Sequence, residues 1–311
     1  MAHRVILDTD IGSDVDDALA LAMLFGAADV ELLGVTTVYG DVDVRSRIAR
    51  RLARLAGHDG LPVASGGARP LSGAEPWWAG FEGQLYDDLG GEVFMEDVTG
   101  TQFLTQTAAA QPGELEVVAV GPLTNIAAAI RADPAFVGNV RRLYVMGGRF
   151  DGRDQAEHNF KCDAVAAAEV FASGIPATVV GLEITTQPRL EPHHLATIAA
   201  AGALGRQLEA EVHQWWQYTE HQWNHPHDPI AVLAMLRPDL LGSTAPVRVR
   251  VEPAGDRAGV SVAEPDPAGE GAAGADVGAA RTTYVVDRID VAGAVAATVA
   301  LIKAAGDLGP S

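Results

Sequence analysis

Lysine is nearly absent: Lys161 and Lys303 are the only two among 311 residues, and arginine carries the remaining positive charge. Cysteine occurs once, at Cys162, so no internal disulfide can form and a reducing compartment is expected. A basic excess is missing too, since 22 Lys and Arg face 41 Asp and Glu for a net charge of −19. Nucleic acid and anionic membrane surfaces require a basic footprint, so neither is expected as a partner and a small neutral molecule suits the chain better. No run reaches the about 18 apolar residues of a membrane span. Met1-Ala2-His3-Arg4 leads directly into apolar sequence without a signal-peptide core. A soluble, cytoplasmic protein is the expectation. With 48% hydrophobic residues the chain can bury an extensive core, and a single domain over 1–311 is expected.

What the sequence does have is crowded acid. Asp8, Asp10, Asp14, Asp16 and Asp17 put five aspartates into ten residues. The apolar run 5–7 reads as a buried strand and 17–24 as a helix, so the carboxylates gather where a strand's C-terminal end meets a helix N-terminus. Ligands bind at that place in open α/β sheets. One or two aspartates suffice to cap a helix. Five exceed that need, and like charges a few ångströms apart repel one another unless a cation neutralises them. The crowding predicts a metal, and oxygen donors without nearby Cys or His suit a hard ion, Ca²⁺ or Mg²⁺. An EF-hand is excluded, because Gly12 stands fifth and Leu19 twelfth counted from Asp8, where that loop needs Gly sixth and Glu twelfth. The Asp-x-Asp-x-Thr/Val pattern of haloacid dehalogenase-like phosphatases fits Asp8 and Asp10 but meets Gly12 at its last position.

Strand and helix then alternate. Strands are expected over 30–37, 61–64, 115–120, 142–146, 177–180 and 282–287, and helices over 44–56, 102–111, 123–131, 164–173, 204–220, 229–236 and 291–304. This is an α/β fold with a doubly wound, mostly parallel central sheet. Residues 247–251 and 259–262 form a small C-terminal hairpin excursion. The segment 66–100 shows no period, which in so long a stretch marks function or mobility. Residues 264–280, rich in Gly, Ala and acid, read as a flexible surface insertion.

Further polar groups fall at strand ends: Asp41 after 30–37, Gly121-Pro122-Leu123-Thr124-Asn125, Met146-Gly147-Gly148, Ala156-Glu157-His158-Asn159, and His225-Pro226-His227-Asp228-Pro229. Together these segments resemble the inosine-uridine nucleoside hydrolase family, in order from Val5 to about Leu236. Its Asp-x-Asp-x-Gly…Asp-Asp-Ala signature is similar to Asp8, Asp10, Gly12, Asp16, Asp17 and Ala18. Gly-Pro-Leu-Thr-Asn is present verbatim. Met-Gly-Gly with Ala-Glu-x-Asn matches Met146 to Asn159, Gly-Leu-x-x-Thr-x-Gln matches Gly181 to Gln187, and His-Asp-Pro is His227 to Pro229.

The resemblance implies calcium-dependent hydrolysis of a ribonucleoside's N-glycosidic bond, in nucleoside catabolism and purine or pyrimidine salvage, by a homo-oligomer, dimer or tetramer. It implies Ca²⁺ on Asp10, Asp17, the Thr124 backbone carbonyl and Asp228. Asp10 would be the general base and His227 the general acid, while Asp16, Asp41, Met146, Glu157, Asn159 and Asp228 contact the substrate. The chain departs from the family in a first loop two residues longer, which adds Asp14. Asp41 replaces an Asn, a histidine expected after Pro70-Leu71 is missing, and Lys161 replaces an apolar residue. A non-catalytic Ca²⁺-dependent sugar- or nucleoside-binding protein is the competing class. The retained Asp10 and His227 argue against it, because binding alone needs neither acid nor base.

Overall fold

Val5, Ile6 and Leu7 are completely buried in the first strand, β1 (His3–Thr9), and alternate between two hydrophobic cores. Val5 and Leu7 join one core and Ile6 the other. A parallel strand covered on both faces needs such an unbroken apolar run. The structure, a computed structural model, describes residues 2–77, 79–266 and 282–307.

After β1 come β2 (Val30–Thr37), β3 (Val63–Ser65), β4 (Leu115–Ala119), β5 (Val140–Met146), β6 (Ala177–Val180), β7 (Leu241–Ser243), β8 (Val247–Val251), β9 (Ser261–Pro265) and β10 (Thr283–Ile289). They form one sheet in the order 3-2-1-4-5-6-10-8-9, with β7 also on β10. Every pairing from β3 across to β10 is parallel, whereas β7, β8 and β9 pair antiparallel. Helices Asp16–Gly26, His227–Leu236 and Val291–Gly306 cover one face, and Gly100–Ala110, Thr124–Ala132 and Ala164–Ala172 the other. The chain winds outward through β2 and β3, then returns to β4 on the other side of β1. That reversal opens a crevice at the C-terminal ends of β1 and β4, where such sheets take ligands.

The expected sheet and hairpin are present, with shifted boundaries. Pro62, which lacks an N–H, lies outside β3, and the hairpin's second strand runs over Ser261–Pro265. Part of the expected 264–280 insertion is therefore strand; residues 267–281 lie outside the described residues. The helix expected from Pro229 begins at His227, and short helices at His158–Cys162 and Pro192–Ala199 lacked enough periodicity to be read. The aperiodic stretch 66–100 contains one 3₁₀ turn, Leu89–Gly91. Arginines of the helix Val42–Leu55 hold it: Arg54 donates to Glu92 Oε1 at 2.7 Å, Arg47 to the Glu92 carbonyl at 3.1 Å and Arg50 to the Val93 carbonyl at 3.0 Å. No helix among the described residues is long and apolar enough to cross a membrane.

Candidate active site

The five aspartates separate into a structural one and a cavity group. Asp8 is fully buried and lies outside the cavity. Its Oδ1 accepts from Thr36 Oγ1 at 2.5 Å and Asn125 Nδ2 at 2.7 Å, so it ties β1 to β2 and to the helix Thr124–Ala132. Burial pushes its carboxyl up to about 7 against those hydrogen bonds. Beyond it the chain turns at Gly12, whose φ of +112° disfavours any residue with a Cβ.

Arg45, 1% exposed, braces this turn from behind. Its Nη1 donates to the Asp10 carbonyl and, at 2.8 Å, to the Ile11 carbonyl; Nε reaches the Tyr39 carbonyl at 2.7 Å and Nη2 the Ser13 hydroxyl at 3.1 Å. Thr9 Oγ1 accepts from Ile11 N at 3.1 Å and donates to Asp17. Gly121, after β4, permits close approach from the other side: a Cβ there would lie 2.8 Å from Asp10 Oδ1.

The resulting cavity encloses about 580 Å³ of empty space when its open mouth is included. Asp10, Asp14, Asp16, Asp17 and Asp228 all line it. Asp14, Asp16 and Asp17 each offer an oxygen within 4.8 Å of the others. Asp228, in the first turn of the helix His227–Leu236, donates its backbone N–H to Asp16 Oδ2 at 3.2 Å, locking the two segments together. Burial first, then repulsion by neighbouring aspartates, raises the pKa of Asp16, Asp17 and Asp228 well above the usual range. Asp10 is raised by burial too, with the Arg45 charge pulling the other way. Buried oxygen donors whose charged form burial and mutual repulsion disfavour fit a hard metal ion that would neutralise them.

Opposite the acids stand groups that can bind a polyol. Glu157 is fixed by the backbone N–H groups of Gly148, Asn159 and Phe160 at 2.8 to 3.1 Å. Asn159 Nδ2 donates to the Val120 carbonyl at 2.7 Å and the Met146 carbonyl at 3.2 Å. Its Oδ1 makes no hydrogen bond to the described residues and is left as an acceptor. His227 lines the cavity, with Nδ1 2.7 Å from Thr185 Oγ1, and burial pulls its pKa down to about 4. Its neighbour His225 instead meets the Pro188 carbonyl at 2.8 Å and lies outside the cavity.

Asp10, Asp16, Asp17, Met146, Glu157, Asn159, His227 and Asp228 are thus brought together as expected, and two residues are not. Asp41 is exposed and caps the helix Val42–Leu55 by accepting from Val44 N at 3.1 Å. Thr124, expected to contribute its backbone carbonyl, begins the helix Thr124–Ala132 outside the cavity lining, and its hydroxyl donates to Asp163 Oδ2 at 2.7 Å. The β4 end reaches the cavity through Val120 instead. Ser13, Asp14, His158 and Leu182 also line the cavity without having been assigned. Asp14 carried a signal in the acid crowding, and His158 in its place between Glu157 and Asn159.

The family model described as inosine-uridine preferring nucleoside hydrolase matches residues 5–295. The uridine nucleosidase 1 of Arabidopsis thaliana is 34% identical over 272 residues, covering 81% of this chain and 79% of the relative. The non-specific ribonucleoside hydrolase RihC of Escherichia coli is 33% identical over 266 residues, covering 82% and 86%. Among solved structures, a plant nucleoside hydrolase superposes with a TM-score of 0.82 at 25% identity, over 97% of this chain and 99% of that one. The chain belongs to the inosine-uridine preferring nucleoside hydrolase family and is an N-glycosyl hydrolase of nucleosides.

Proposed function

We propose that the chain catalyses the calcium-dependent hydrolysis of the N-glycosidic bond of ribonucleosides, giving ribose and the free base. The observation that carries the reading is the convergence of five aspartates and the open acceptor of Asn159 on one small-molecule cavity. Asp10, Asp17 and Asp228 would hold Ca²⁺, with the Val120 carbonyl replacing that of Thr124 as the backbone contribution. When bound, Ca²⁺ neutralises the acids and polarises oxygens that touch it.

Asp10 takes a proton from the attacking water. Asp16, Glu157 and Asn159 orient the ribose hydroxyls, Glu157 through a carboxylate that three backbone N–H groups already immobilise. Positive charge grows on the sugar ring as the bond to the base breaks, and the surrounding carboxylates stabilise it. His227 would serve the departing base through Nε2, Nδ1 being taken by Thr185. Its lowered pKa makes the group a neutral ring whose Nε2–H, with Thr185 donating to Nδ1, is offered to the base as a hydrogen bond and transferred only as negative charge develops there. Cytoplasmic location and assembly as a homo-oligomer belong to the same proposal.

The test is reducing-sugar release by the purified chain from inosine, uridine, cytidine and adenosine. Release from at least one is expected. No release from any favours a binding protein, and release of phosphate from phosphomonoesters favours the phosphatase reading.

A further inference from the structure

The cavity's floor is acidic and its mouth is aromatic. His158 opens the short helix His158–Cys162 and lies exposed where the cavity meets solvent. The Trp77 ring, 62% exposed, stands edge-on to it with centroids 6.0 Å apart. If the ribose hydroxyls face Asp16 and Asn159 below, the base of the same nucleoside reaches this mouth.

The His158 ring is held at one nitrogen only. Its Nε2 lies 3.4 Å from Cys162 Sγ, one helical turn on, while Nδ1 makes no hydrogen bond to the described residues. Nearby, the Tyr39 hydroxyl accepts from Trp77 N at 3.0 Å. Tyr39 adopts a φ of +66°, uncommon for a bulky residue, and Arg45 holds its carbonyl in place. Where the Cys162 S–H donates to Nε2, the proton of the neutral ring sits on Nδ1; a protonated ring carries one there as well. Contact with Cys162 raises the pKa of His158, with Asp10 and Glu157 adding to the effect, which is consistent with either state.

We propose that His158 is a base-recognition residue, presenting Nδ1–H to an acceptor atom of the nucleobase, and that Cys162 is the positioning residue that keeps the proton on that nitrogen. The proposal rests on the nucleoside hydrolase reading and deepens it, since it names the group that discriminates among bases. Negative charge grows on the base as its bond to ribose breaks, so the hydrogen bond strengthens toward the transition state. A hydrogen bond to a charged group corresponds to roughly ten- to hundred-fold in kcat/KM.

The experiment compares wild type with His158→Ala, Cys162→Ala and Cys162→Ser on the wild type's best nucleoside and on p-nitrophenyl riboside, whose leaving group is not a base. His158→Ala is expected to lose about ten- to hundred-fold on the nucleoside and to stay near wild type on the nitrophenyl substrate, with its calcium-induced melting shift unchanged. Cys162→Ala should lower nucleoside kcat while leaving KM for the nitrophenyl substrate unaltered, and Cys162→Ser, which keeps an O–H donor, should restore it. Equal losses on both substrates, or no loss on either, overturn the His158 assignment while leaving hydrolysis intact. A Cys162→Ala variant indistinguishable from wild type overturns the positioning role. A wild type inactive on every nucleoside overturns the parent reading and this one with it.

Discussion

Arg45→Met is the substitution whose cost the structure fixes most closely. The guanidinium is completely enclosed and serves the carbonyls of Asp10, Ile11 and Tyr39 together with the Ser13 hydroxyl. Methionine fills similar volume but donates nothing, leaving three buried carbonyls unpaired. An unpaired buried polar group costs about 1–3 kcal/mol, and breaking a buried charged contact about 3–5 kcal/mol in total. A loss of about 4 kcal/mol is therefore expected, a large part of the roughly 5–15 kcal/mol by which domains are stable. Asp10 also loses the positive charge that opposes its burial. Its pKa should climb further, and because the loop that presents Asp10 loses the brace on its Asp10 and Ile11 carbonyls, calcium should bind more weakly. Urea unfolding at fixed pH measures the first effect, and calcium titration at a urea concentration where the variant remains folded measures the second. Arg45→Lys, a single donor group without the planar fork, should fall between. A loss under about 1 kcal/mol, below the lower bound for even one unpaired buried carbonyl, with unchanged calcium affinity would refute the reasoning.

Other consequences follow from the same residues. Asp8 and Glu211 are both pushed up to about 7, chiefly by burial, and the cavity aspartates are raised as well. A raised carboxyl contributes stability that is full below its unfolded pKa of about 4 and is lost as pH climbs through the folded value. In chelator the melting temperature should thus fall between about pH 4 and 7, and calcium should restore more of it at pH 8 than at pH 5 because protons compete for the same oxygens. At a hundred times its dissociation constant the ion adds about 2.7 kcal/mol. With unfolding entropy near 2.1 cal/mol/K per residue over 311 residues, that is a rise of about 4 °C by scanning calorimetry. Asp10→Asn should lower kcat by about 10²–10⁴ while changing KM little, since the amide cannot accept the water's proton; near wild-type turnover would remove Asp10 from that role. His227→Ala should cripple inosine hydrolysis and largely spare p-nitrophenyl riboside, and equal losses would make His227 a ribose- or metal-positioning group.

The sheet and the acid loop were legible because both are written in side chains: apolar runs for the strands, crowded aspartates for the site. The proposed role of the Val120 carbonyl was not, because a backbone carbonyl has no residue type. The adjacent motif offers Thr124 instead, whose hydroxyl bonds Asp163 while its neighbour Asn125 bonds Asp8. Asp41 shows that acid after a strand serves a helix cap as readily as a ligand site. Arg45 was one of several arginines on an amphipathic helix, and only the loop folding back over it makes it the buried one. His158 depends on a single turn of helix after Glu157, too short to leave a period.

The central claim is that the buried aspartates hold a calcium ion without which ribonucleosides are not cleaved. The most direct test strips the purified chain with chelator, removes the chelator, and follows ribose release from inosine and uridine as calcium is added back. The account predicts negligible release from the stripped protein and recovery that saturates with calcium, in step with the rise in melting temperature. Full activity in the stripped protein, or recovery of stability with no ribose released at any calcium concentration, would contradict it.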